Sequence, residues 1–220
     1  MSTRHAALVA LEHYRLVPVV VLDDASDVPA LGAGLVAGGL PVAEVTFRTA
    51  AARDAIAALA DRGDVLVGAG TVLTPAQVDA AVAAGARFVV SPGTSRAVVE
   101  RCLEHGVPAI PGAVTATEVM ATLELGLDLV KFFPAATSGG APALATLATV
   151  FAGVHFVPTG GIAAGNLADY LTLPAVAAVG GSWMVPRDRV RARDTAAIER
   201  LARAAVAAAD AVRPRAGQPA

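Results

Sequence analysis

Short runs rich in β-branched residues alternate with Ala-rich segments of helical length along almost the whole chain. The candidate strands are residues 18–22, 42–47, 65–68, 88–91, 107–110, 127–132, 155–158 and 177–179. Between them lie helical segments such as 50–61, 75–84, 95–105 and 115–125. Strands that are each followed by a helix pair in parallel through right-handed crossovers. The alternation therefore predicts an α/β fold built on a parallel sheet.

The spacing of the strand ends indicates how this sheet closes. Six candidate strands end at intervals of 19 to 28 positions, at Gly70, Gly93, Gly112, Lys131, Thr159 and Gly180. Eight βα units of this size form a (β/α)8 TIM barrel, near its lower limit of about 200 residues. The alternative, an open doubly wound sheet, lacks a Gly-x-Gly-x-x-Gly motif after the first strand. We therefore predict a single-domain barrel over residues 1–212, with an extra N-terminal helix at about 3–15 and a flexible tail over 213–220.

Composition argues against several classes of function. The formal net charge of −2 provides no general attraction to nucleic acid or anionic membranes. No stretch of about 20 apolar residues is present. The apolar run at 16–22 contains Pro18 and leads into Asp23, unlike a secretory signal. Cys102 is the only cysteine, which fits a reducing compartment. We expect a cytoplasmic protein without a membrane or nucleic-acid partner.

One basic residue differs in type from all the others. Of the 17 Lys and Arg residues only Lys131 is a lysine, and it lies in the apolar segment 126–134. A lysine amine can lose its proton and attack a carbonyl carbon, whereas an arginine guanidinium cannot. Lys131 is thus a candidate Schiff-base lysine. The alternative is a strand-end lysine whose stem covers apolar surface while its amine reaches solvent.

Glu44, Thr46 and Arg48 share one face of the second candidate strand, because side chains alternate with a period of two. Catalytic groups of a barrel lie at the carboxyl ends of its strands. Beside Lys131 at that end, Glu44 would shuttle protons, and Arg48 would bind a carboxylate and favour the neutral amine. The alternative is a structural ion pair between Glu44 and Arg48, since buried charges need partners.

Glycine pairs follow the seventh and eighth candidate strands, in Thr159-Gly-Gly161 and Gly180-Gly-Ser182. Turns of this kind present backbone N–H groups to an anion, and phosphate sites of this fold use these two loops. Glycine is also needed by many turns that bind nothing. We expect a phosphate-binding site here, followed by a helix that begins at about residue 164.

Six short motifs occur in order: Glu44-Val-Thr-Phe-Arg-Thr49, Gly68-Ala-Gly-Thr-Val72, Val90-Ser-Pro-Gly93, Val130-Lys-Phe-Phe-Pro-Ala135, Pro158-Thr-Gly-Gly-Ile162 and Gly180-Gly-Ser-Trp183. Together they resemble the class I 2-keto-3-deoxy-6-phosphogluconate (KDPG) aldolases, also called 2-keto-4-hydroxyglutarate (KHG) aldolases. The resemblance runs from about residue 18 to about residue 183. It implies a homotrimeric lyase of carbohydrate metabolism in the Entner–Doudoroff pathway, and we expect no cofactor.

The resemblance implies reversible cleavage of KDPG to pyruvate and glyceraldehyde 3-phosphate, and also of 4-hydroxy-2-oxoglutarate to pyruvate and glyoxylate. Its implied catalytic residues are the Schiff-base Lys131 and the general acid/base Glu44. For the substrate it implies Arg48 and Thr71 at the pyruvyl carboxylate, Pro92 and Phe133 as pocket walls, and Thr159 at the hydroxyl of the new stereocentre. The implied phosphate-binding residues are Gly160, Gly161, Gly181 and Ser182.

Three other functions remain open. The nearest is the sister aldolase for 2-dehydro-3-deoxy-6-phosphogalactonate, although Thr159 before the glycine pair resembles the gluconate enzyme more. Other phosphate-binding barrels, such as a sugar-phosphate isomerase or a thiamine-type phosphate enzyme, do not need Lys131 together with Glu44 and Arg48. A non-catalytic sugar-phosphate-binding protein would need neither the lysine nor the glutamate.

Several residues are assigned no function from the sequence. The four histidines have no metal-ligand spacing with each other or with Cys102, so no metal site is expected. The charge run at 187–194, which holds Arg187, Arg189, Arg191 and Arg193, is predicted to be a solvated helix start and not a nucleic-acid patch. Ala136 stands where the resembling family often has an acidic residue, and we expect the chemistry not to depend on it.

Overall fold

The computed structural model describes residues 5–214. Its eight strands within that range are β1 Leu16–Val20, β2 Val42–Thr46, β3 Leu66–Gly70, β4 Val89–Val90, β5 Ala109–Ile110, β6 Leu129–Phe132, β7 His155–Pro158 and β8 Val179–Gly181. The α-helices are α1 Ala6–Tyr14, α2 Val28–Ala37, α3 Ala52–Arg62, α4 Pro75–Ala83, α5 Arg96–Glu104, α6 Ala116–Glu124, α7 Gly140–Val150, α8 Leu167–Leu171, α9 Arg187–Arg191 and α10 Thr195–Val212. The predicted α/β alternation is confirmed, because every candidate strand overlaps one observed strand.

All strand pairs are parallel, and chain neighbours pair with each other. The strands β5, β4, β3, β2, β1 and β8 form one sheet in that order, and β6 pairs with β7. Single parallel bridges connect the two sheets, between Gly112 and Lys131 and between Thr159 and Gly180. The parallel sheet is therefore curled, and the carboxyl ends of its strands lie at one side of the molecule.

The strands are apolar on both faces, because each face packs against other elements. Ala43 and Val45 of β2 belong to the cluster that the sheet forms with the surrounding helices. Val42 of β2 instead joins a second cluster with Leu129 and Val157, which the curled sheet encloses. Leu11 of α1 belongs to this inner cluster as well.

The same inner face carries the polar candidates. Side chains two positions apart point the same way, so Glu44 lies on the face of Val42 and Lys131 on the face of Leu129. Both polar residues are nearer than their apolar neighbours to the carboxyl ends of their strands. The interior is thus apolar in one layer and polar in the next, which brings candidate side chains from different strands into one region.

Local boundaries differ from the predictions at two places near this region. α8 begins at Leu167 and not at about 164, because the Asn166 side chain accepts from the Ala163 N–H (2.8 Å) and donates to the Gly161 carbonyl (3.0 Å). These two bonds hold the intervening residues in a turn. β8 continues to Gly181, so the second glycine pair lies in the strand and not in the turn after it.

The predicted ends are described only in part. Residues 3–4 of the predicted N-terminal helix and 215–220 of the predicted tail lie outside the described range. Arg213, the first residue of that tail, donates from its guanidinium to the Val176 carbonyl at 2.9 Å. Between residues 5 and 214, no helix has the combination of length and apolar character that spanning a membrane requires.

Candidate active site

The amine of Lys131 and the carboxylate of Glu44 meet inside the curled sheet. Lys131 Nζ lies 3.1 Å from Glu44 Oε1, and the two side chains are only 7% and 3% exposed. Lys131 Nζ also lies 5.3 Å from the centroid of the Phe133 ring. The alternative of a strand-end lysine that reaches solvent is therefore wrong. The alternative ion pair between Glu44 and Arg48 is wrong too, because the Glu44 carboxylate pairs with Lys131 and does not pair with Arg48 in the described residues.

A glycine on the neighbouring strand makes room for this carboxylate. A Cβ at Gly70, the last residue of β3, would lie 2.3 Å from Glu44 Oε1. Any larger residue there would displace Glu44 from Lys131. The importance of Gly70 was not predicted as part of the site, although it stands in the motif Gly68-Ala-Gly-Thr-Val72.

Thr71, the residue after Gly70, has a strained backbone. Its φ of 56° lies in the left-handed region, which β-branched residues rarely adopt. Strain of this kind persists only where the surrounding structure enforces it, and it is common at functional sites. Pro92, just after β4, is half-buried, and its carbonyl packs so closely on Gly112 that a Cβ at Gly112 would lie 2.1 Å away. Gly112 is in turn the bridge partner of Lys131.

Arg48 has an exposed side chain two positions beyond the end of β2. Its guanidinium forms no ion pair or hydrogen bond with another side chain in residues 5–214. The backbone at this position is held by a hydrogen bond from the Arg48 N–H to the Thr46 carbonyl (2.8 Å). An arginine in this state is available to bind a carboxylate through two hydrogen bonds.

Most of the other candidates line one cavity of about 310 Å³. Seven predicted residues are among its walls: Arg48, Phe133, Thr159, Gly160, Gly161, Gly181 and Ser182. Lys131, Glu44, Thr71 and Pro92 are not wall residues of this cavity, although the Phe133 ring that lines it also faces Lys131 Nζ. The cavity therefore begins beside the Lys131–Glu44 pair and extends toward the glycine pairs.

The glycine pair after β7 offers backbone donors to this cavity. Gly160 and Gly161 have φ values of 99° and 75°, in the region that favours glycine. The N–H groups of Gly161 and Ser182 donate to no acceptor in the part of the chain that the structure describes. Unused N–H groups at the rim of a cavity are suited to an anion. Ala136 packs against this turn, because a Cβ at Gly161 would lie 2.4 Å from the Ala136 Cβ.

The glycine pair in β8 is explained by packing. A Cβ at Gly180 would lie 2.3 Å from Thr159 Oγ1, and one at Gly181 would lie 1.9 Å from Trp183 Cζ3. Thr159 is buried at the end of β7, directly beside Gly180. Gly180 and Gly181 therefore allow the Thr159 and Trp183 side chains to pack closely on the β8 backbone, and this packing does not depend on what the cavity binds. Of these residues, Ser182 presents the exposed hydroxyl.

Arg187 is a cavity residue that the sequence interpretation missed. It was predicted to be part of a solvated charge run, yet it lines the cavity together with Val185 and Pro186. Its Nε donates to Asp23 Oδ2 at 2.9 Å, and its Nη2 donates to Oδ1 of the same carboxylate. A usable signal was its position five residues after Ser182, at the first residue of α9 and directly after the short connection from β8.

The known proteins to which this chain is similar are aldolases. A family model for the KDPG and KHG aldolases matches residues 9–201. The 2-dehydro-3-deoxy-phosphogluconate aldolase of Treponema pallidum is 51% identical over 193 residues, which cover 87% of this chain and 92% of that protein. The KHG/KDPG aldolase of Escherichia coli K12 is 45% identical over 192 residues, which cover 87% and 90%.

A solved structure is similar in fold over nearly its whole length. The crystal structure of the KDPG aldolase from Legionella pneumophila, with pyruvate captured at low pH as a covalent carbinolamine intermediate, has a TM-score of 0.87 and 41% sequence identity. The match covers 93% of this chain and 98% of that one.

Proposed function

The chain belongs to the KDPG and KHG aldolase family, and from that premise we propose that it cleaves KDPG to pyruvate and glyceraldehyde 3-phosphate through a Schiff base on Lys131. It is a lyase of the class I aldolase type. The observation that carries the residue assignment is the buried contact of 3.1 Å between Lys131 Nζ and Glu44 Oε1. The Legionella pneumophila relative holds pyruvate as a carbinolamine, which is the intermediate that precedes a Schiff base.

The contact between the two residues supplies the first chemical step. Glu44 accepts a proton from the Lys131 ammonium group, and the neutral amine then attacks the C2 carbonyl of the substrate. The adduct becomes a carbinolamine when its nitrogen loses a proton and its oxygen gains one. Glu44 returns its proton to the carbinolamine hydroxyl, water leaves, and an iminium ion remains.

The iminium ion then accepts the electrons of the broken C–C bond. Glu44, again a carboxylate, removes the proton of the C4 hydroxyl, the C3–C4 bond breaks, and glyceraldehyde 3-phosphate leaves. The bond electrons convert the iminium ion to an enamine, which Glu44 protonates at C3. Hydrolysis of the resulting iminium ion releases pyruvate and restores the Lys131 ammonium group. Every proton removed by Glu44 is thus returned within the cycle.

The remaining residues hold the two ends of the substrate. Arg48 and Thr71 bind the pyruvyl carboxylate, with Pro92 and Phe133 as walls. Thr159 faces the hydroxyl at the stereocentre, between the reacting carbons and the glycine pair. Gly160 and Gly161 bind the phosphate through backbone N–H groups, while Gly181 permits the close packing of this wall and Ser182 adds a hydroxyl.

Cleavage of 4-hydroxy-2-oxoglutarate to pyruvate and glyoxylate is a second activity of the same site. The name of the Escherichia coli relative, KHG/KDPG aldolase, supports it. The chemistry at Lys131 and Glu44 is the same for both substrates, since each is a 2-keto acid with a hydroxyl at C4. The two differ in the group that faces the glycine pair.

Four further properties belong to this proposal. The strands close into a (β/α)8 barrel, supported by the bridges Gly112–Lys131 and Thr159–Gly180. The protein acts in the cytoplasm, as a single buried cysteine favours. It assembles as the homotrimer that the resemblance implies, and Met120 and Leu123 of α6 are exposed apolar side chains that a subunit contact would cover. It needs no metal, because the iminium ion itself withdraws the electrons.

The decisive experiment measures pyruvate release from KDPG and from its galactonate epimer, with lactate dehydrogenase and NADH as the coupled readout. We expect rapid release from KDPG and slower release from the epimer. The opposite order would assign the chain to the phosphogalactonate enzyme. Absence of pyruvate from both epimers would contradict the proposed function.

A further inference from the structure

We propose that Arg187, held in place by Asp23, determines specificity by contributing a positive charge to the phosphate end of the site. The inference rests on the proposed function, because the ligand is the phosphorylated substrate of that same site. It adds a side chain to a phosphate site that otherwise consists of backbone N–H groups and one hydroxyl.

Arg187 is anchored in a fixed orientation. Asp23, which follows β1, accepts from Nε (2.9 Å) and from Nη2 of the Arg187 guanidinium. A bidentate pair fixes the plane of a guanidinium, so Nη1 points in a defined direction. Nη1 donates to no acceptor in residues 5–214, and its two hydrogens remain available. Asp23 also raises the pKa of the Arg187 guanidinium, which therefore stays charged throughout the physiological range.

The charge of the cavity walls favours an anion. Among the described residues that line the cavity, Arg48 and Arg187 carry a formal charge and none carries a carboxylate. Apolar walls from Val19, Ile162 and Val185 reduce the screening of these charges by water. Arg48 is assigned to the carboxylate at the reacting end of the substrate. Arg187, which lines the same cavity as Ser182 and Gly161, is then the cation left for the opposite end.

The neighbouring arginines on α9 and just after it do not share this position. Arg189 lies 3.4 Å from the Asp194 carboxylate, and Arg193 lies 2.8 Å from that of Asp27. Arg191 approaches the same Asp23 carboxylate as Arg187, at 3.6 Å, but it is not a wall residue of the cavity. Arg191 is therefore a matched control, since it has the same charge and the same anion beside it.

A purely structural role for the Arg187–Asp23 pair makes a different prediction. The Arg187 side chain is 53% exposed, and exposed ion pairs contribute little to stability. The variant Arg187→Met should therefore fold with a melting temperature close to that of the unmodified protein. A loss that is specific for phosphorylated substrate is the result that a purely structural pair does not predict.

The test compares kcat/KM for KDPG with kcat/KM for 2-keto-3-deoxygluconate, which lacks the phosphate, in Arg187→Met and Arg191→Met. We expect the preference for the phosphorylated substrate to fall about 10-fold in Arg187→Met, the lower end for a hydrogen bond between charged groups because the site is partly exposed. The preference should be unchanged in Arg191→Met. As a check on folding, Arg187→Met should form the borohydride-reduced pyruvate adduct at the normal rate.

An unchanged preference in Arg187→Met would overturn the inference, as would an equal loss in Arg191→Met, which would mean that only the overall charge near α9 matters. Failure of the proposed function would look different. In that case the unmodified protein would release no pyruvate from KDPG, whatever residue stands at position 187.

Discussion

Lys131 Nζ and Glu44 Oε1 lie 3.1 Å apart, although the two residues are 87 positions apart in the chain. The pair is buried, so each charge offsets the cost of burying the other. Protonated lysine with ionised glutamate and neutral lysine with neutral glutamate differ only by the position of one proton. This exchange connects the structural role of the pair with the chemistry proposed for it.

Lys131 should be the residue that pyruvate modifies. Treatment with pyruvate and borohydride should add one reduced adduct, which peptide mass spectrometry locates on the Lys131 peptide. The reason is that Lys131 is the only lysine and lies at the buried end of the site. The variant Lys131→Arg, which keeps the positive charge, should form no adduct there. Modification confined to the N-terminal amine would contradict the mechanism.

Substitution of Glu44 by Gln should slow turnover without abolishing substrate binding. If Glu44 is the general acid/base, kcat should fall by about 10²–10⁴-fold. The variant also leaves the buried Lys131 without its carboxylate partner, so the melting temperature must be measured beside the rate. Near-normal turnover in a folded Glu44→Gln variant would mean that another group transfers the proton.

Removal of the Arg48 guanidinium should act mainly on binding. Arg48 is exposed and forms no ion pair in the described range, so Arg48→Ala should not destabilise the fold. We expect KM for KDPG to rise and kcat/KM to fall by about 10- to 150-fold, as loss of a charge-assisted contact predicts. A matched control is Arg53→Ala, an exposed arginine of α3 that pairs with Asp54 outside the cavity. An equal effect of both variants would show that Arg48 acts only through net charge.

Gly161→Val should weaken phosphate recognition. Position 161 has a φ of 75°, and a Cβ there would lie 2.4 Å from the Ala136 Cβ, so the turn must shift and its N–H groups move. The expected loss of kcat/KM is about 10- to 150-fold for KDPG and much smaller for 4-hydroxy-2-oxoglutarate. Gly165→Val is the matched control, because a Cβ at Gly165 has no neighbour within 4 Å. Equal losses on the two substrates would assign Gly161 to the fold alone.

Activity should survive exhaustive removal of metal ions. In residues 5–214 no group of three or more His, Cys, Asp or Glu side chains is arranged to hold a metal ion. The protonated imine performs the electron withdrawal that a metal ion performs in a metal-dependent aldolase. The measurement is the rate of KDPG cleavage after dialysis against EDTA. Loss of activity that a divalent ion restores would move the protein to the metal-dependent class.

Cys102 should resist thiol reagents while the protein is folded. Burial raises the pKa of this thiol to about 12, so little thiolate exists at about pH 8. Labelling by a disulfide reagent should be slow in buffer and fast in guanidinium chloride. The thiol of the unfolded chain has a pKa of about 8.5, so the folded chain holds this proton more tightly than the unfolded chain does. The free energy of unfolding should therefore fall as the pH rises above about 8.5. In Cys102→Ala the loss of stability at high pH should be smaller. Fast labelling of Cys102 in the folded protein would contradict its burial.

The local sequence pattern was sufficient to predict the order of the strands and helices and the chemical capability of single residues. The alternation of β-branched and Ala-rich segments determines the order of strands and helices, because each segment has one favoured backbone conformation. The period of two places Glu44 on the face of Val42 and Lys131 on the face of Leu129, and the structure decided that these faces point inward. The assignment of roles to Thr71, Pro92 and Thr159 came from the resemblance to a family and stays a prediction.

Contacts between distant segments were decided only by the tertiary structure. The curvature and register of the sheet set the 3.1 Å separation of Lys131 from Glu44, and no spacing along the chain encodes that distance. The same holds for Arg187 and Asp23, which are 164 positions apart and meet at the cavity. Arg187 looked like one solvated charge among several, because its neighbours in sequence are charged and its partner Asp23 lies in a distant segment just after β1. The sequence alone thus determined which groups are chemically capable, whereas packing decided which of them meet, since distances across a sheet depend on all its strands together.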